Sequence, residues 1–123
     1  MVAQSPRYGL VQIAIILLTA ATAAIHLYLA LVLMPALTGG VDIVFLLNGL
    51  GYLGLLAALY LPLGFLAPWK SLIRWVLLGY TALTILLWVI MAGERTALGY
   101  VDKLIEVALV VLLYLESQQR SRA

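Results

Sequence analysis

The chain has 123 residues and a formal net charge of +2, with 66% apolar and 10% charged residues and no cysteine. A soluble domain carries about half apolar and about a quarter charged residues, and small domains bury the smallest share of their surface, so hydrocarbon must form part of the solvent. The small charge gives no case for a nucleic-acid partner, and the missing cysteines exclude disulfides, thiolate catalysis, Cys-ligated zinc and iron–sulfur clusters.

Four apolar segments follow one another along the chain. The first runs over about 10–33, with Gln12, two threonines and His26 as its polar interruptions. Arg7 ahead of it and Ala21-Thr22-Ala23 within it invite a signal-peptide reading. The apolar run continues past that site to Leu33, long enough to cross a bilayer, so an uncleaved helix is expected. Pro35 and Gly39-Gly40 are expected to end it. The second segment covers about 43–66, with Asp42 as N-cap and Asn48 as its one strongly polar residue; Pro62 and Pro68 mark its end. The third covers about 74–92 and the fourth about 98–115.

The fourth carries Asp102, Lys103 and Glu106 in its first half. A charge at a helix centre costs on the order of 3 kcal/mol on insertion scales, so this helix needs neighbours to stay in the bilayer. The alternative is a helix lying on the membrane surface; the nearly uniform run Val107–Leu115 favours spanning. The tail Gln118–Ala123 is expected to fray. The expected fold is an all-α membrane protein, a single four-transmembrane-helix bundle over 1–123.

Lysine and arginine set the orientation. Arg7, Lys70, Arg74, Arg120 and Arg122 fall on one side, Arg95 and Lys103 on the other, which puts both termini in the cytoplasm of a cell-membrane protein. Tyr8, Trp69, Trp75 and Tyr114 then sit at the inner interface and Tyr100 at the outer one. Glu94-Arg95 reads as a solvated loop pair.

Chemistry is expected from polar residues inside the apolar runs. His26 precedes Pro35 by nine residues, roughly 13 Å of helix at 1.5 Å per residue. Asn48 follows Asp42, and Glu106 follows Tyr100, by six residues each, about 9 Å. Trp88 precedes Ala92 by four, about 6 Å. The expected topology brings His26, Asn48, Trp88 and Glu106 to one outer depth, with Asp102 and Lys103 in support. Helical spacing gives each a face: Thr19, Thr22, Ala23, His26 and Ala30; Asn48, Gly51, Gly54 and Ala58; Thr81, Thr84 and Trp88; Asp102, Glu106, Leu109 and Leu113. Small residues let membrane helices approach closely, so these faces are expected to point inward.

Each residue also has a structural role open to it. His26 serves as a haem or metal ligand, a proton carrier or a quinone donor, or as a buried histidine bonded to a neighbouring helix. Glu106 serves as a protonatable carrier, or as partner of Lys103 one turn earlier, of His26 or of Trp88. Asn48 reads as interhelical glue. No catalytic constellation and no metal centre is expected, since the serines all lie toward the opposite side from His26.

The stretches His26-Leu27-Tyr28-Leu29, Phe45-Leu46-Leu47-Asn48-Gly49-Leu50-Gly51 and Val101-Asp102-Lys103-Leu104 resemble small uncharacterised four-helix integral membrane proteins of archaea and bacteria; that resemblance implies the layout and no activity. The layout is also similar to that of small multidrug transporters, whose essential glutamate lies in the first helix. Here the first helix holds His26 and no carboxylate. The expectation is a non-enzymatic membrane subunit or accessory protein with lipid around it, packing against itself or a larger complex. The alternatives are a homo-oligomeric proton-coupled transporter or channel using Glu106 and His26, and a haem- or quinone-binding anchor in electron transfer; no cofactor is expected in the first two.

Overall fold

The computed structural model describes residues 9–91 and 97–122, and of Met91 and residues 120–122 the backbone alone. Among the described residues every regular element is a helix. Arg7, Tyr8 and the Glu94–Arg95 pair lie outside the described residues, as do the side chains of Arg120 and Arg122.

Helix α1 (Leu10–Tyr28) opens with the Gln12 side chain accepting from the Gly9 N–H at 3.0 Å. Pro35 does not end it, contrary to the sequence expectation. A proline inside a helix lacks a donor and crowds the carbonyl four residues earlier. Here a π-helical stretch, Leu29–Leu33, widens the rod just ahead of Pro35, and α2 (Met34–Thr38) continues it. The Ala30 carbonyl accepts from the Asp42 N–H instead, at 3.3 Å. Gly39 stops the rod with φ 84°, a conformation glycine adopts without strain.

Helix α3 (Ile43–Tyr60) is capped by Asp42, whose Oδ1 accepts from the Phe45 N–H at 3.0 Å. It ends six residues short of the expected boundary at 66, because Leu61 precedes Pro62 and is extended, with ψ 143°. A 3₁₀ segment, Gly64–Trp69, leads into α4 (Lys70–Met91), which starts four residues before the expected 74. Lys70 Nζ donates to the carbonyls of Ala58 (2.6 Å) and Leu61 (2.9 Å), covering the end of α3. Helix α5 (Ala97–Arg122) runs past the expected end at 115. Glu116 and Ser117 are buried against the bundle, and this contact holds the polar tail helical.

The rod α1 packs against α3 and α5, and α4 packs against the same two, so the four long elements close into a ring. The apolar core lies along its axis: Ile15, Ala23, Tyr52, Leu59, Leu77, Leu109 and Leu113. α1 and α3 come close at Gly49, where a Cβ would stand 2.9 Å from Leu27 Cγ and 3.1 Å from the Ala23 carbonyl oxygen. The buried described residues include eleven polar or charged ones against eight apolar ones, while leucines, valines and isoleucines cover the outside. Soluble domains do the reverse. Three stretches, Leu10–Thr38, Ile43–Tyr60 and Gly64–Ile90, are long and apolar enough to cross a membrane. The interface candidates Trp69, Trp75, Tyr100 and Tyr114 are all exposed.

Candidate functional site

Helix α5 turns one face inward: Asp102, Lys103, Glu106, Leu109, Leu113, Glu116 and Ser117 are all buried. These positions recur every three or four residues, the period of a single helical stripe. The stripe carries charge at both ends and leucine in the middle, which divides the bundle interior into two polar clusters.

The first cluster forms around Glu106, which is fully buried. Its Oε1 accepts from Lys103 Nζ at 2.5 Å and its Oε2 from the Tyr52 hydroxyl at 2.7 Å. Asp102 Oδ2 lies 3.2 Å from the same ammonium. The Thr22 hydroxyl has one proton to give and lies closest to Asp102 Oδ1 (2.6 Å), with Glu106 Oε2 at 3.3 Å. His26 Nδ1 lies 2.8 Å from the Thr22 carbonyl. A carbonyl only accepts, so Nδ1 carries a hydrogen. His26 Nε2 then points at Asp102 Oδ2, 3.7 Å away, beyond hydrogen-bond range. Phe45 and Tyr52 flank the imidazole, with ring centroids 5.9 and 5.8 Å away.

Of the residues expected at this site, the structure brings together His26, Glu106, Asp102 and Lys103. Trp88 stands at its edge, with Lys103 Nζ 5.8 Å from its ring centroid and Tyr100 edge-on at 5.3 Å. Asn48 is turned elsewhere: its Nδ2 donates to Thr84 Oγ1 (3.2 Å), and its carbonyl accepts from the Tyr80 hydroxyl (2.8 Å), tying α3 to α4. Its Oδ1 is buried without a hydrogen-bond partner. The inward face of α3 is Gly49, Tyr52 and Leu59, and Gly54, expected inside, is exposed.

The second cluster has no counterpart in the sequence expectation. Arg74, expected at the cytoplasmic start of the third segment, is buried one turn inside α4, with its Nε 2.6 Å from Glu116 Oε1. Glu116 Oε2 accepts from Gln12 Nε2 (2.9 Å) and from the Tyr60 hydroxyl (2.8 Å). Four elements supply one residue each. Gln12, the one polar side chain early in the first apolar run, was the available signal; Glu116 follows the last apolar run and reads as tail. Glu106 and Glu116 are ten residues apart, about 15 Å along α5. Leu109 and Leu113 of α5, Ile15 of α1, Leu77 of α4 and Leu59 of α3 fall between the clusters in sequence and form the apolar layer.

Charge separates the two clusters. Arg74 and Glu116 balance one another. Asp102 and Glu106 share a single ammonium, and the second cation available to them is His26 when it is protonated.

These features define an all-helical chain that carries three stretches able to cross a membrane and ionic groups sealed in its interior. The chain belongs to the DUF7475 family, a family of unknown function, which it matches over residues 1–115. No curated protein and no solved structure matches it.

Proposed function

We propose that this chain is a small, non-enzymatic, multi-pass protein of the cell membrane that handles a cation at the His26–Asp102–Lys103–Glu106 cluster. Four crossings, with both termini cytoplasmic, fit the lysine and arginine distribution. α5 is the fourth crossing: its Asp102, Lys103, Glu106 and Glu116 face partners inside the bundle, and its outward residues Leu104, Val107, Val111 and Leu115 are exposed and apolar. That division is the reverse of a surface helix, whose charged face meets water.

The observation that carries the reading is the burial of two carboxylates, an ammonium and an imidazole in one cluster. Burying ions costs several kcal/mol each, and intramembrane ionisable groups line ion and proton pathways by default. The cation is a proton or a metal ion. His26 Nε2, the atom a haem iron would take, faces Asp102, so the electron-transfer reading draws no support from this geometry.

The test is flux into proteoliposomes that carry pH-sensitive and divalent-sensitive dyes inside. The full chain is expected to pass one class of cation down an imposed gradient, and Glu106→Gln to bring the rate to that of protein-free liposomes. A wild-type rate equal to that background for both classes would end the reading.

A further inference from the structure

Resting on the cluster as a cation site, the geometry points to a divalent transition-metal ion of the Zn²⁺ kind, bound by His26 Nε2, Asp102 Oδ2 and Glu106 Oε1. Each of the three side chains has one polar atom fixed by the bundle; of the other three atoms, Nε2 lies 3.7 Å from Oδ2, and Oδ2 and Oε1 meet at the Lys103 ammonium. The fixed atoms are His26 Nδ1 on the Thr22 carbonyl (2.8 Å), Asp102 Oδ1 on the Thr22 hydroxyl (2.6 Å) and Glu106 Oε2 on the Tyr52 hydroxyl (2.7 Å). Metal-binding histidines almost always donate their other N–H to a carbonyl or carboxylate, and ligating carboxylates are themselves hydrogen-bonded.

One ligand atom from each of the three residues lies within 4.8 Å of the other two. Ligands at zinc distances of 2.0–2.1 Å in a tetrahedron stand about 3.3 Å from one another. The 3.7 Å between Nε2 and Oδ2 is therefore a few tenths of an ångström from that spacing.

The independent pointer is His26 itself. It is only 3% exposed, and its Nε2 makes no hydrogen bond while aimed into the cluster. In the neutral imidazole with its hydrogen on Nδ1, the lone pair on Nε2 faces a carboxylate, an arrangement that a cation between them resolves. Lys103 marks the same place: its ammonium touches Oδ2 and Oε1, the two inward oxygens. A divalent ion there neutralises both carboxylates and displaces that ammonium toward the Trp88 ring, already 5.8 Å away. One imidazole and two carboxylates, with no thiolate, select Zn²⁺, Mn²⁺ or Fe²⁺ over softer ions.

Co²⁺ is the probe, titrated into the full chain in mild detergent. One Co²⁺ per chain is expected, with the visible absorption of a low-coordinate nitrogen–oxygen site, displaced by Zn²⁺. Lys103→Met removes the competing ammonium and is expected to bind Co²⁺ about tenfold more tightly; a misfolded chain does not gain affinity. His26→Gln is expected to abolish the absorption. Proton flux without Co²⁺ binding, by the wild type or by Lys103→Met, overturns the metal while leaving cation handling intact. Co²⁺ binding without flux keeps the metal and ends transport. Binding that survives His26→Gln combined with Asp102→Asn overturns the ligand assignment.

Discussion

Single residues in this bundle act through what they leave behind when removed. Arg74→Met strips Glu116 of its charge partner and leaves a carboxylate held only by Gln12 and Tyr60. Breaking a buried pair from one side costs about 3–5 kcal/mol, whereas replacing both partners with apolar groups is often neutral. Thermal unfolding in detergent is expected to show a large loss for Arg74→Met and recovery of most of it in Arg74→Met/Glu116→Met. Tyr52→Phe removes the hydroxyl that fixes Glu106 Oε2. Its expected effect is a 10–100-fold loss of cation affinity, the usual range for a residue that orients a ligand, read by the same Co²⁺ titration with the helical content unchanged. His26 and Glu106 were legible because an ionisable group in an apolar run has few reasons to be there. Asn48 shares their depth but not their azimuth, and one sequence does not tell which side of α3 faces α5 and which faces α4. Arg74 and Glu116 were hidden because each sits where an apolar run begins or ends, and a charge there reads as solvated.

At the level of elements, proline was a weaker stop signal than its chemistry suggests. Pro62 ended α3 because Leu61 ahead of it is extended and Lys70 covers the freed carbonyls, whereas Pro35 was absorbed by a π-helical stretch and by the Asp42 N–H. That rescue depends on a contact twelve residues away, which a local reading does not contain. Over residues 118–122 the expected fraying gives way to helix for a related reason, since burial of Glu116 and Ser117 overrides local polarity. Helix approach also rests on single positions. Gly49→Val would drive branched methyls into Leu27 and the Ala23 carbonyl. Overpacking of this kind costs about 1–3 kcal/mol. A melting temperature in detergent that does not fall would show that α1 and α3 separate without penalty.

Across the whole molecule, α5 depends on the other three long elements. It carries Asp102, Lys103, Glu106 and Glu116, and their partners are Thr22, Tyr52, Gln12, Tyr60 and Arg74 on elements made earlier. The order of synthesis therefore has the partners in place before the charged helix arrives. The lack of cysteine makes the number of crossings directly measurable. With a membrane-impermeant thiol reagent outside intact cells, Gly40→Cys is expected to label and Gln119→Cys to label only after lysis. Labelling of both from outside would mean that an even number of crossings, not three, separates Gly40 from Gln119. Composition made the stretches able to cross a membrane legible at this scale; the partnership between the ends of α5 and distant helices was not encoded in it. The leucine layer between Glu106 and Glu116 has an electrical consequence. With α5 as the proposed fourth crossing, it would span about 15 Å of a hydrocarbon slab about 30 Å thick, and roughly half the membrane voltage would drop across it. An ion driven from one cluster to the other would then feel about 1 kcal/mol per 100 mV, half the full 2.3 kcal/mol per charge, and its passage would be voltage-dependent.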